Sequence, residues 1–112
     1  MRDVDRSVSF YSAVLGSAVQ KIALEDGTVF GLLPCSNSEP SGCLVTGPDQ
    51  VPSHHGAMVY LSVEGRMDDA LGAVGKVGGK VLKPKHSIAP HGFRAVIEDS
   101  EGNRIALHSQ VA

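Results

Sequence analysis

The segment DVDRSVSFYSAVLG, residues 3–16, predicts one amphipathic helix and the turn that ends it. Its apolar side chains recur at the spacing of a single helix face, at Val8, Tyr11, Val14 and Leu15. Asp3 or Asp5 can accept hydrogen bonds from the free amides of the first turn, and Gly16 can take the left-handed conformation at which many helices end. We therefore expect a helix over residues 3–15.

Short extended runs follow this helix, over residues 18–24, 29–34 and 42–46. Asp26-Gly27, between the first two runs, is typical of a tight hairpin turn. Residues 36–41 and 47–56 are rich in Ser, Pro, Gly and Asn, so we interpret both as loops. The second loop links two halves of the chain.

The second half begins with a predicted strand, because residues 57–63 alternate in the way a half-buried strand does. A second helix follows, ended by Gly78-Gly79, with an apolar face formed by Met67, Ala70, Leu71, Val74 and Val77. The remaining extended runs predict strands over residues 80–83, 93–99 and 104–108.

This order of elements indicates an internal repeat. A shift of 62 residues lays Leu15-Gly16-Ser17-Ala18-Val19 on Val77-Gly78-Gly79-Lys80-Val81, so that helix end, glycine stop and strand start coincide. The length of 112 residues suits one domain, 1–112, with a first module over 1–50 and a second over 56–110. The first module lacks the opening strand of the second, so we expect the chain to begin one strand late.

The composition excludes several classes of protein. Apolar residues make up 42% and charged residues 20%, as in soluble globular domains. A net charge of −2 without a cluster of Lys or Arg argues against nucleic acid as a partner. No apolar run could cross a membrane and the N-terminus lacks the pattern of a signal peptide, so we expect a cytoplasmic protein. We interpret Cys35 and Cys43 as free thiols.

Two motifs together resemble the vicinal oxygen chelate superfamily of glyoxalases, bleomycin resistance proteins and extradiol dioxygenases. They are Asp3-Val4-Asp5-Arg6-Ser7-Val8-Ser9-Phe10-Tyr11 with Val14-Leu15-Gly16, and Asp99-Ser100-Glu101-Gly102-Asn103-Arg104. Three shorter runs resemble the glyoxalase-related branch, namely Val59-Tyr60-Leu61, Gly78-Gly79-Lys80-Val81 and Gly92-Phe93. The resemblance implies an α+β fold in which two tandem βαβββ modules form a curled mixed sheet around a cavity.

The resemblance also implies where a metal ion would bind. Active members hold it with His or Glu at facing positions on the first and last strands of each module. Those positions fall here on Met58, Ala106 and Leu44, and the fourth lies on the absent opening strand. Thioether and hydrocarbon side chains are poor ligands for the divalent ions concerned, so we expect neither a metal of the family type nor another cofactor.

Strand alternation assigns the side chains that face the cavity. Val59, Leu61 and Val63 should pack on a helix, as should Ile105 and Leu107, whereas Ser62, Glu98 and Arg104 should face the other side. Leu44 is expected to face the cavity as well. The predicted ligand-binding residues are Phe30, Leu32, Met58, Tyr60, His91, Arg94, Val96, Ala106 and His108.

Several of these residues have a second interpretation. Tyr60 suits a ligand contact, because a phenol joins an apolar ring to a hydroxyl, but it also suits a core position with a bonded hydroxyl. Arg94 could clamp a carboxylate or pair with Glu98. His91 could act as an acid or base, or be an ordinary loop histidine.

Other polar residues are assigned structural or surface roles. We interpret His54-His55 and His86 as surface residues in loops, and Cys43 as a packed small side chain. Residues 99–104 have the composition of a hairpin turn.

The leading functional hypothesis is a glyoxalase-related protein that binds a small, partly apolar organic molecule without the family metal, with no catalytic residue assigned. The alternatives are a metal-dependent lyase, isomerase or dioxygenase, and a non-catalytic regulatory or partner-binding module. Because the first module leaves a sheet edge unpaired, we also expect a homodimer.

Overall fold

The computed structural model describes residues 1–34 and 42–112. Helix α1 spans Val4–Leu15 and is followed by β1 (Gln20–Ala23), β2 (Val29–Leu32) and β3 (Cys43–Val45). The second half contains β4 (Val59–Ser62), α2 (Met67–Val74) with a 3-10 turn (Gly75–Val77), β5 (Lys80–Ser87), β6 (Phe93–Glu98) and β7 (Arg104–Ser109). Neither helix of these residues is long and apolar enough to cross a membrane.

The strands form two sheets with related topology. The first is antiparallel with the order β1-β2-β3, and the second has the order β4-β7-β6-β5, in which only β4 and β7 are parallel. The order β3-β2-β1 therefore repeats β7-β6-β5, and no strand precedes α1 in the described residues. The α+β class and the repeated order of strands are confirmed. The strands form two open sheets and not one continuous curled sheet.

Local signals position the first helix and the first hairpin as predicted. The Asp3 carboxylate accepts from the Arg6 amide at 2.9 Å, and Gly16 ends α1 with a φ of 72°. The Asp26-Gly27 turn closes the β1-β2 hairpin, where the Asp26 carboxylate accepts from the Thr28 amide at 2.9 Å. These features depend on neighbouring residues only, which is why the sequence predicts them.

The core lies between the two helices and the inner faces of the two sheets. It is formed by Phe10, Tyr11, Val14, Val19, Leu44, Val63, Met67, Ala70, Val74, Ala95, Ile97, Ile105 and Leu107. Close packing explains why residue 79 is a glycine. A Cβ atom on Gly79 would lie 2.6 Å from both the Glu98 carbonyl oxygen and the Phe10 ring. A side chain at the start of β5 would push the strand off the core.

Leu44 corrects one predicted orientation. It is 5% exposed and packs in the core, where its Cδ1 and the Val8 side chain of α1 both lie close to Gly31. Gly31 is its partner in the β2-β3 register, so residues 43 and 45 occupy the opposite face. The prediction that Leu44 faces a cavity is wrong, because a slip of one residue turns a strand residue to the other face.

Three smaller predictions also need correction. Strand β5 continues to Ser87 past Pro84, which an edge strand tolerates, so His86 is in a strand and not in a loop. Cys43 is exposed and not packed, and Cys35 lies outside the described residues. Val59 is 54% exposed on edge strand β4, whereas Leu61 and Val63 pack inward as predicted.

The two sequence motifs contact each other through buried polar groups. The Tyr11 hydroxyl donates to Asp99 at 2.6 Å, and the Glu101 carboxylate accepts from Arg6 Nε at 2.7 Å and from the Asp3 amide at 2.6 Å. Burial opposes ionisation of Glu101, but hydrogen bonds from Arg6, Ser100 and the Asp3 amide outweigh it and lower its pKa to about 2. The predicted hairpin turn thus also anchors the start of α1.

Tyr11 has the opposite shift. Burial and the neighbouring Asp99 carboxylate raise the pKa of its hydroxyl above the ordinary value, so it stays protonated as the donor.

Candidate functional site

A cavity of about 460 Å³ opens where β4 and β7 end. It is lined by Tyr60, Leu61, Ser62, Ile88, His91 and His108. Strands β4 and β7 are parallel, so their carboxyl ends meet at this edge, and the turn between β5 and β6 contributes Ile88 and His91. The walls combine aliphatic, phenolic and imidazole groups.

The strand register assembles a polar row across the sheet beside this cavity. Ser62 pairs with His108, His108 with Arg94, and Arg94 with His86. Paired residues of adjacent strands project from the same face, so four strands contribute one polar side chain each to one line.

A second and less polar row lies on the same face of the sheet. Tyr60 pairs with Ala106, and Ala106 pairs with Val96. Ala106 is fully buried and Val96 is 8% exposed, whereas Tyr60 is 48% exposed at the sheet edge. The interpretation of Tyr60 as a core residue is therefore wrong.

Arg94 is held on two sides. Its Nη1 donates to the Tyr60 hydroxyl at 2.8 Å, and its Nε donates to His86 Nε2 at 3.2 Å. A guanidinium can only donate, so His86 Nε2 must accept. The Pro84 carbonyl lies 2.9 Å from His86 Nδ1 and can only accept, so Nδ1 carries the proton. These two contacts require a neutral His86 in one tautomer.

His108 connects strand β7 to the turn at the edge of the cavity. His108 Nε2 lies 2.6 Å from the backbone oxygen of His91 and donates to it. This contact ties β7 to the turn that contains His91, whose own side chain is exposed. His91 therefore contributes at least its backbone to the site geometry.

Glu98 does not pair with Arg94. Its carboxylate is hydrogen-bonded to His54 Nε2 at 2.7 Å, and the His54 side chain, in a loop, is 39% exposed. Residues four apart on a strand are about 13 Å apart, too far for a direct contact, whereas on a helix they would be neighbours. That geometry already argued against an Arg94–Glu98 pair at the level of sequence.

The structure brings most of the predicted site residues together. Tyr60, His91 and His108 line the cavity, Arg94 binds Tyr60, and Val96 and Ala106 lie on the same face. Met58 is half-buried just before β4. Ligand binding by these residues stays a prediction.

Phe30 and Leu32 are not part of this group. Both are in β2 of the other sheet, and Leu32 lines a separate cavity with Ser17, Ala18, Gln20, Leu33 and Pro34.

The sequence interpretation missed two residues of the site, Ile88 and His86. Pro84 interrupts the strand pattern of β5, and the register with β6 shifts twice between Val81 and His86, so simple alternation could not place His86 opposite Arg94.

The donor set does not suit the metal of the wider superfamily. The three positions that the resemblance assigned to ligands hold the side chains of Met58, Ala106 and Leu44, and Leu44 is in the core. In the described part of the chain, no three His, Cys, Asp or Glu side chains form a group that could hold an ion. A catalytic ion of this kind requires about three protein ligands.

Sequence comparison identifies the family. A model of the glyoxalase-like domain matches residues 1–108, which is nearly the whole chain. The chain belongs to the glyoxalase-like domain family. No curated protein matches this glyoxalase-like chain significantly.

Solved structures of this superfamily share the fold of the glyoxalase-like chain. The fosfomycin resistance protein FosX from Listeria monocytogenes has a TM-score of 0.69 at 14% identity, with 97% of this chain and 85% of that chain covered. A glyoxylase/bleomycin resistance protein/dioxygenase domain from Frankia sp. has a TM-score of 0.65 at 21% identity, covering 96% and 88%. A glyoxalase/bleomycin resistance protein from Albidiferax ferrireducens has 0.61 at 18%, covering 97% and 91%. Identities this low establish the fold alone.

Proposed function

We propose that this glyoxalase-like chain binds a small, partly apolar organic anion in the Tyr60 cavity. The observation that carries the proposal is the 2.8 Å hydrogen bond from Arg94 to the Tyr60 hydroxyl, next to a cavity of about 460 Å³. The hydroxyl accepts from Arg94, so its own proton is available to a ligand. The guanidinium keeps donors that neither Tyr60 nor His86 uses.

The chemistry of the cavity walls assigns the apolar body and the carboxylate of the ligand to different side chains. Leu61 and Ile88 offer apolar surface to the body of the ligand, which gives affinity without direction. Arg94 and Tyr60 offer charge-assisted hydrogen bonds to a carboxylate, which gives orientation. The contact with His86 fixes the guanidinium before the ligand arrives, so less side-chain freedom is lost on binding.

Catalysis with a metal ion is the alternative that the superfamily suggests, and it has less support in this chain. The side chains at the implied ligand positions, a thioether and two hydrocarbons, are poor ligands for a divalent ion, so no catalytic step is assigned to one. A regulatory module that uses the fold only as a scaffold is the other alternative. It differs from the proposal in requiring no occupied cavity.

A thermal shift screen of carboxylic acids with apolar bodies tests the proposal, and the methyl ester of each acid serves as its matched control. A ligand at a hundred times its Kd adds about 2.7 kcal/mol to the stability of the folded state, which for a domain of this size raises Tm by about 10 °C. We expect acids to raise Tm and their esters to do so much less.

Three results would contradict the proposal. Esters that stabilise the protein as well as the acids do would mean that the ligand need not be an anion. If no compound of the screen stabilises the protein, the result favours the scaffold alternative. Stoichiometric zinc, nickel or iron in protein purified without chelator would favour the enzyme.

We further propose that the protein forms a homodimer through an exposed sheet edge. In residues 1–34 and 42–112, β3 pairs only with β2, and β4 pairs only with β7. Open edges of this kind recruit another strand, and the exposed Val59 on β4 adds apolar surface. Light scattering at micromolar concentration should give twice the monomer mass, with Val59→Lys shifting the population towards monomer. A wild-type monomer at that concentration contradicts the dimer.

A further inference from the structure

A second cavity, of about 270 Å³, lies at the opposite ends of the same two strands. Val59 at the start of β4 and Arg104 at the start of β7 line it, together with Ile105, Ala57, Ser53 and His55. The Tyr60 cavity lies where these strands end, so the two cavities have different walls.

Arg104 is the feature of this cavity that the fold does not explain. Within the described ranges, its guanidinium has no ion-pair partner, and its buried Nε has no hydrogen-bond partner. Buried polar groups in folded proteins nearly always have a partner, and a charged donor without one is costly. The fold therefore presents a cation whose acceptor is not supplied by the described residues.

The neighbouring carboxylates are engaged elsewhere. Glu98 is directly opposite Arg104 in the β6-β7 register, but its carboxylate binds His54 at 2.7 Å. Asp99 accepts from Tyr11 at 2.6 Å, and Glu101 accepts from Arg6 at 2.7 Å. Each nearby acid thus has its own donor, and the positive charge of Arg104 is left for an external anion.

The rest of the lining indicates the kind of anion. Val59, Ile105 and Ala57 supply apolar wall, so a ligand with an aliphatic part gains from burial. The Ser53 hydroxyl accepts from the His55 amide at 2.8 Å and keeps its own proton to donate. A guanidinium next to a hydroxyl donor suits the two oxygens of a carboxylate.

We propose that the cavity at Arg104 is a second binding site, which takes a small aliphatic carboxylate. Arg104 binds the carboxylate, Ser53 donates a further hydrogen bond, and the aliphatic chain lies on the exposed side chains of Val59 and Ala57. The site is independent of the Tyr60 cavity, and either can exist without the other.

Titration with hexanoate, acetate and inorganic phosphate, followed by the NMR signals of the arginine Nε–H groups, tests this site. We expect hexanoate to shift the Arg104 signal saturably, at least tenfold more tightly than acetate because of its longer buried chain. The Arg104→Gln variant should lose this binding, read from the backbone amides of Ser53 and Ala57, which line only the Arg104 cavity. Arg94→Gln, which alters only the Tyr60 site, should keep it.

Three outcomes overturn the proposal. They are an Arg104 signal that no anion shifts saturably, hexanoate-dependent shifts of the Ser53 and Ala57 amides that survive in Arg104→Gln, and phosphate binding at Arg104 as tight as that of hexanoate. Arg104→Lys keeps the charge without the planar fork and should weaken hexanoate binding about tenfold. If Arg104→Gln does not fold, the comparison of wild type with Arg104→Lys decides, and equal affinities count against the site.

Discussion

Replacing Asp99 by alanine is expected to lower the free energy of unfolding by about 3–5 kcal/mol. Asp99 is 1% exposed and accepts from the Tyr11 hydroxyl at 2.6 Å, from the Glu101 amide at 2.8 Å and from the Asn103 amide at 2.9 Å. Alanine leaves these donors without their acceptor, and the Tyr11 hydroxyl and the Glu101 amide are buried. The penalty for unpaired buried donors is larger than the net value of the bonds themselves.

Urea unfolding of Asp99→Ala, Tyr11→Phe and the double variant measures this effect. Tyr11→Phe removes one donor and should cost less than Asp99→Ala, about 1.5 kcal/mol. The two changes share a contact, so the double variant should be more stable than their sum predicts by at least about 1 kcal/mol. Additive costs would mean that the 2.6 Å hydrogen bond does not couple the helix to the turn.

Asp26→Ala is the matched control for this experiment. Asp26 also occupies a hairpin turn and accepts from a backbone amide, that of Thr28 at 2.9 Å, but it is exposed. Water can replace its hydrogen bond, so the expected loss is below about 1 kcal/mol. A loss as large as that of Asp99→Ala would assign the effect to turn chemistry and not to burial.

These buried contacts show how far sequence reasoning extends. Helix caps and hairpin turns follow from residues a few positions apart, so Asp3, Gly16 and Asp26-Gly27 were placed correctly. The Tyr11–Asp99 bond joins residues 88 apart, and no local pattern encodes it. Both motifs were visible in the sequence, but their contact was not.

The sequence also predicts only in part which face of a short strand each residue occupies. Alternation placed Tyr60, Arg94 and His108 on the correct face of the sheet. Strands β6 and β7 each pair with a neighbour on both sides, and the hydrophobic pattern of β4 fixes the face of that edge strand. Strand β3 has three residues, and the repeat laid Leu44 on Ala106 although the two face opposite ways. A repeat alignment without identities cannot fix a register to one residue, and one residue decides the face.

The Tyr60 site gives the other large expected effect. Arg94→Gln should weaken binding of the best carboxylate from the thermal shift screen about a hundredfold, equivalent to about 2.7 kcal/mol. Glutamine keeps a donor but loses the charge and the planar fork, and hydrogen bonds to charged groups contribute about 1.5–3 kcal/mol each. Tyr60→Phe removes one neutral hydroxyl and should cost about tenfold. Isothermal titration calorimetry measures both affinities.

The His86→Ala variant distinguishes two roles of His86, which are positioning of the Arg94 guanidinium and direct contact with the ligand. Its Nε2 accepts from Arg94 Nε at 3.2 Å, so His86→Ala frees the guanidinium without removing its charge, and we expect a loss of about tenfold. In the Arg94→Gln background the same change should have almost no effect, because nothing remains to be positioned. Equal losses in both backgrounds would mean that His86 contacts the ligand itself, and an unchanged affinity in Arg94→Gln would remove Arg94 from the site.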